Sequence, residues 1–190
     1  MGVWSRFPVS LALIVGLGVS LGMVSPIPAT TLERLTLDEM TRKSTAIVRA
    51  RVTGSRSANL ESVGGSDIYT YFRMQVLETW KSGPAVTEVA VPGGAVDGIR
   101  QSVSGAPVLK PGQEYVLFLW TSRSGLTQVI GLSQGLFQLS AGPSREILAQ
   151  RPPASELMLD RSGHPVEDLA VSMPLQDLRA RVRQALGAAK

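Results

Sequence analysis

Lys110-Pro111-Gly112-Gln113-Glu114-Tyr115-Val116-Leu117-Phe118-Leu119-Trp120 decides how the rest of the chain is read, because a Pro-Gly turn launches six consecutive large apolar residues. A run this short cannot span a membrane, and turn residues bound it on both sides, so it predicts a strand covered on both faces. The covers have to come from the rest of the chain. Downstream, Ser122-Arg123-Ser124-Gly125 turns into Leu126-Thr127-Gln128-Val129-Ile130, an expected antiparallel partner, and Leu136-Phe137-Gln138-Leu139 alternates as another short strand.

Upstream, Ala46, Val48, Ala50 and Val52 share one face of a half-exposed strand, with Ile47, Arg49 and Arg51 on the other. Residues 54–67 are polar and turn-rich and predict a long mobile connection. In 68–80, Ile68, Thr70, Phe72, Met74 and Val76 face one way and Tyr69, Tyr71, Arg73 and Gln75 the other, until Val76-Leu77 breaks the alternation. A bend or bulge is expected there. Residues 86–91 give a third strand and 99–103 a weak one, while 141–153 reads as surface loop.

Helices are expected only at the two ends. Thr36-Leu37-Asp38-Glu39 fits a capping box opening a short helix that ends near Lys43. Leu175, Leu178, Val182, Ala185 and Leu186 make the apolar stripe of a C-terminal helix over 174–188, with Pro174 at its start. Between them, 156–159 and 165–166 form a hairpin around Arg161-Ser162-Gly163-His164.

Five or more consecutive strands without intervening helices argue against a βαβ fold. They predict a mainly β, OB-like closed antiparallel barrel with a short N-terminal and a C-terminal helix. The expected domains are a β-barrel over 31–150 and a hairpin plus helix over 151–190 packed on it. Composition agrees: 44% hydrophobic residues supply one core, while 5% aromatics with 19 Gly and 12 Pro suit short strands and many turns.

Residues 1–30 carry one charge, Arg6, then an apolar run of 16 residues with three glycines from Val9 to Val24, then small and turn residues through Thr30. This is the layout of a secretory signal peptide, and the run is short of the roughly twenty residues a spanning helix needs. The expected location is therefore secreted or periplasmic, with cleavage after Ser25 or Ala29 and no transmembrane anchor left in the mature chain. With no cysteine in the chain, a bacterial lipoprotein, disulfides, thiolate catalysis and Cys-containing zinc sites are all excluded, and the single histidine excludes a multi-histidine zinc site. No cofactor or metal is expected. A net charge of +4 spread over 18% charged residues is too dilute for a nucleic-acid stripe, and export makes nucleic acid an unsuitable ligand.

The succession "STAIVRARV" (44–52), "YTYFRMQVLETWKSG" (69–83), "VTEVAVPGG" (86–94) and "LKPGQEYVLFLW" (109–120) resembles the netrin-type module of the tissue inhibitors of metalloproteinases, an OB-like five-stranded barrel. It is still more similar to uncharacterised secreted bacterial proteins with the same order of segments. The resemblance covers about residues 32–140 and implies a barrel and an extracellular binding role. The family's inhibitors reach the protease zinc with an N-terminal cysteine braced by disulfides; this chain has neither, so that mechanism transfers to no residue here.

Two constellations invite a functional interpretation. Gly131-Leu132-Ser133-Gln134-Gly135 fits the G-x-S-x-G nucleophile elbow, with Asp160 and His164 following in α/β-hydrolase order. That elbow needs a helix after it, whereas 136–139 predicts a strand, so a small serine hydrolase using Ser133 is the alternative and not the main expectation. The carboxylate pairs Asp38-Glu39 and Glu167-Asp168 point apart and make no glycosidase site. The second constellation is the outward face Arg49, Arg51, Tyr69, Tyr71 and Arg73. Aromatic rings interleaved with guanidinium groups can hold an acidic polymer or a protein, and the same residues also serve as ordinary cross-strand pairs. The sequence thus predicts an exported, non-enzymatic binding module, protein- or polyanion-binding or protease-inhibitor-like, with a purely structural envelope protein as a further alternative.

Overall fold

A computed structural model describes residues 31–62 and 65–188; the expected leader, residues 1–30, lies outside them. In chain order the elements are β1 (Thr31–Glu33), α1 (Leu37–Lys43), β2 (Ala46–Ser62), β3 (Gly65–Lys81), β4 (Glu88–Pro92), β5 (Gly94–Val96) and β6 (Ile99–Gln101). Then come β7 (Glu114–Thr121), β8 (Thr127–Val129), β9 (Leu136–Ala141), β10 (Ile147–Arg151), β11 (Leu157–Leu159), β12 (Pro165–Val166), β13 (Val171–Pro174) and α2 (Leu175–Gly187). The protein is mainly β.

The turn ahead of β7 sets its register. Pro111 fixes φ at the first central position, and Gly112 takes φ 82° at the second, the combination a type II turn requires. Gly112 N–H donates to Val52 O (2.8 Å) and Val52 N–H to Gln113 O (3.1 Å), tying the turn to β2. β7 then pairs along one edge with β2, from Arg51↔Glu114 to Ala46↔Leu119. Its other edge is shared in tandem by β9, opposite Tyr115 to Leu117, and β8, opposite Leu119 to Thr121.

Tyr115 through Leu119 are each at most 1% exposed, because alternate side chains enter two different cores. Tyr115, Leu117 and Leu119 join Val48, Ala50, Val52, Met74, Val89, Val91, Leu109 and Val129. Val116 and Phe118 join Ile47, Phe137, Leu139 and Ala149 under Met40 of α1 and Leu178 and Val182 of α2. Each such side chain removed from water contributes about 1.5–3 kcal/mol, which makes β7 the strand on which both layers depend. The last residue departs from expectation: Trp120 is 47% exposed, because the second core ends at Phe118.

The main sheet runs β13-β10-β9-β7-β2-β3-β4, with β8 added beside β7. Its end strands, β4 and β13, do not pair with each other. The closed barrel expected from the strand count is therefore not formed by hydrogen bonds. The apolar side of β7 that faces Met40, Leu178 and Val182 is covered by helices instead of by a returning strand. Position 150 lies inside β10, which the sequence pattern left in a loop, and β10 pairs with both β9 and β13. The C-terminal segment is a structural part of the sheet, and β11 further pairs in parallel with β1 and antiparallel with β12.

The largest correction concerns 54–67. Residues 54–62 and 65–67 are paired strand, not a mobile connection: β2 and β3 are 17 residues each and pair from Ile47↔Lys81 to Ser62↔Gly65. Register shifts lie between Ile47 and Val48, Arg49 and Ala50, and Val52 and Gly54. The second leaves Leu77 as the extra residue of β3, where the broken alternation predicts a bulge. The end helices match expectation. Thr36 caps α1, its Oγ1 accepting from Glu39 N–H (3.2 Å) while Glu39 Oε2 accepts from Thr36 N–H (2.8 Å).

Candidate binding face and the Gly131–Gly135 loop

Cross-strand partners in a sheet share a face, so the register of the β2–β3 ribbon places the predicted residues directly. Arg51 lies opposite Gln75, Gly54 opposite Arg73, Arg56 opposite Tyr71 and Ala58 opposite Tyr69. Arg49, Arg51, Tyr69, Tyr71 and Arg73 therefore do stand on one face, spread along the length of the ribbon. Arg49 and Arg51 pair with the 75–78 end of β3, and the tyrosines pair with 56–58, which the sequence pattern did not recognise as strand.

The two ends differ in electrostatics. Arg49 is clamped between Glu78 (Nη1 to Oε1, 2.9 Å) and Glu114 (Nη2 to Oε2, 2.7 Å), and Arg51 Nη2 reaches Glu114 Oε1 at 2.5 Å. Burial pushes the Glu114 carboxyl up, but hydrogen bonds from Arg49 and Arg51 outweigh it and hold it below the usual carboxylate range. The indole N–H of Trp80, then Arg49 and Arg179, lower Glu78 in the same way against burial. This end of the stripe is internally neutralised.

The other end is more open. Arg56 lies over the Tyr71 ring, 4.4 Å from its centroid, and pairs with Glu88 at 2.9 Å. Tyr69 and Tyr71 are half-buried, their centroids 6.5 Å apart. Arg73 is exposed and forms no ion pair among the described residues. Sequence reasoning missed Arg56 and the counter-charges Glu78, Glu88 and Glu114. Gly64-Gly65, a hairpin-turn signal between two polar runs, was the available clue to Arg56.

The Gly131–Gly135 motif has a different use. It is the turn that carries the chain from β8 to β9 along the same edge of β7, with Ile130 N–H donating to Phe118 O and Phe118 N–H to Gly135 O, both 2.9 Å. A Cβ on Gly135 would lie 3.0 Å from both the Ile130 and Phe118 carbonyl oxygens, which explains the second glycine. Gln134, 2% exposed, accepts from Leu35 N–H (2.8 Å) and donates to Glu33 O (3.0 Å). The loop thus clamps the segment between β1 and α1, and a strand follows it where an elbow requires a helix.

Ser133 lines a hollow of about 390 Å³ with Lys110, Gln138 and Gln150. Asp160 lines a separate cleft of about 630 Å³ with Thr36, Glu39 and Arg161. Asp160 Oδ1 accepts from the N–H groups of Ser162 (2.8 Å) and His164 (2.9 Å), and His164 is exposed. Asp160 and His164 are thus neighbours, their side chains 3.6 Å apart, but Ser133 lines the other hollow and forms no hydrogen bond with either among the described residues. Of the carboxylate pairs, Glu39 serves the α1 cap, and Asp168 receives a buried bidentate bond from Arg151 at 2.6 and 2.9 Å. Among the described residues no cluster of three or more metal-type side chains occurs, and no helix is long and apolar enough to cross a membrane.

What these features define is a mainly β protein with a helix-covered central strand and a mixed-charge aromatic face on a long two-stranded ribbon. Compared with protein-family models the chain matches none, and it matches no curated protein.

Proposed function

We propose that the chain is an exported, non-enzymatic binding module of the cell envelope or the extracellular space, and that it holds a protein partner on the β2–β3 face around Tyr69, Tyr71 and Arg73. The observation that carries this is Arg73: an exposed cation without an ion pair among the described residues, two residues along the strand from Tyr71. Paired rings beside an available guanidinium are the side-chain types that anchor protein interfaces.

The charge balance favours a protein over an acidic polymer. Four arginines on the face, Arg49, Arg51, Arg56 and Arg73, stand against three glutamates, Glu78, Glu88 and Glu114. A flexible polyanion is held by net positive potential, which this alternation of sign largely cancels. Export is supported by the layout of residues 1–30. The OB-like, netrin-type relationship and the inhibitory role it implies belong to the same proposal, supported by the order of the segments between 32 and 140 and not by any inhibitory residue.

The test is capture from envelope extract and culture supernatant with the exported chain and its Tyr71→Ala/Arg73→Ala variant. A partner retained by the wild type and released by the variant is the expected result. Equal retention by both proteins would make the face structural. Recovery of a protease that the chain inhibits in proportion to its dose would specify the inhibitory form of the proposal.

A further inference from the structure

Beyond Val52, whose N–H and carbonyl bond to the turn before β7, the outer edge of β2 has no hydrogen-bonded strand among the described residues, although β5 packs on one face of the ribbon, where Gly94 lies against Ser57 and Thr70. The edge from Thr53 to Leu60 is about 26 Å of extended backbone at the usual rise per residue. Half of its N–H and C=O groups point away from β3. Proteins normally protect such edges with lysine, proline or a covering loop. Here the edge sequence is Thr53-Gly54-Ser55-Arg56-Ser57-Ala58-Asn59-Leu60, with neither lysine nor proline and with a bulge at Thr53. The one charged side chain in it, Arg56, is drawn inward over Tyr71 to Glu88 and leaves the edge uncovered.

We propose that this edge accepts an extended acidic peptide segment of the partner as an additional β-strand. The inference rests on the binding-module reading and adds the mode of binding and the chemistry of the ligand. Backbone pairing supplies the contact and side chains supply the choice. Arg73 sits opposite Gly54, and the space where a Gly54 side chain would stand is open, with no heavy atom within 4 Å of a Cβ built there. A carboxylate on the added strand, next to Gly54, meets Arg73 across the glycine. Self-pairing of two copies through the same edge is disfavoured, because it brings Arg56 and Arg73 of both chains together.

The experiment uses the exported chain and a dye-labelled eight-residue peptide alternating glutamate and valine, with lysine-for-glutamate and proline-interrupted versions as comparisons. Binding is followed by fluorescence anisotropy, and amide exchange of residues 53–60 by NMR. The expected results are binding of the glutamate peptide only, slowed exchange at alternate amides of 53–60, and about tenfold weaker binding for Arg73→Glu. That variant should also gain affinity for the lysine peptide. Unchanged exchange at 53–60 with glutamate peptide bound, or a dimer whose 53–60 amides are already protected, would overturn the proposal. Partner release by Tyr71→Ala/Arg73→Ala alongside unaltered exchange at 53–60 would leave the binding face standing and remove only the strand addition.

Discussion

Replacing Gln134 by alanine separates a structural clamp from a nucleophile elbow. Its side chain makes two hydrogen bonds, to Leu35 N–H and from its own amide to Glu33 O, and is 2% exposed. The bond to Glu33 O contributes about 1 kcal/mol net, since that exposed segment rehydrates, and leaving the half-buried Leu35 N–H without its partner costs about 1–3 kcal/mol. The expected loss is therefore about 2–4 kcal/mol, and its midpoint corresponds to a Tm lower by roughly 6–12 °C for a domain of this size. Ser133→Ala serves as the comparison: its hydroxyl makes no hydrogen bond among the described residues, and the change should stay within about 0.5 kcal/mol. Urea unfolding of both variants gives the difference, and amide exchange should place the loosening at 31–36. A Ser133→Ala loss larger than that of Gln134→Ala, or ester cleavage abolished by Ser133→Ala, would refute the clamp.

Other expectations follow from single contacts. Asp168→Ala leaves Arg151, 9% exposed, without its bidentate partner, and should cost about 3–5 kcal/mol in urea unfolding. Phe118→Ala empties the layer beneath both helices, where the ring lies 5.7 Å from that of Phe137, with a loss of about 3–5 kcal/mol. Glu39 is held at about 2, below its ordinary 4.5, by the Thr36 amide and hydroxyl and, against burial, by Arg161. Its folded-state value is the lower one, so its stabilisation is complete above pH 4.5 and fades as pH falls towards 2. Thermal melts of wild type and Glu39→Gln should converge over that window; a constant gap across it would contradict the assignment.

The sequence made β7 legible because its five buried side chains are consecutive and apolar, and α1 and α2 legible because their caps and stripes are local. The outer half of the β2–β3 ribbon was not legible. Residues 54–60 are mostly Gly, Ser, Ala and Asn with little apolar content, none of them is buried, and they are held extended by their partners in β3. β10 was hidden for a related reason: Ile147 is 39% exposed and only Ala149 and Arg151 are buried, so no apolar alternation marks the strand. At the candidate site the five residues and their shared face were readable from period-two alternation. Their neutralisation was not, because Glu114 lies 65 positions from Arg49 in the chain, and only the β2–β7 register brings the two together.

Site-specific photo-crosslinking decides whether the ribbon face is a binding surface: a photoreactive side chain is placed at position 69 of that face, and separately at the exposed position 183 on α2, in the cells that produce the chain. The expected result is a discrete crosslinked partner from position 69 that disappears with Arg73→Ala, and none from position 183. Crosslinks from position 183 alone, or the same partner from both positions, would contradict it.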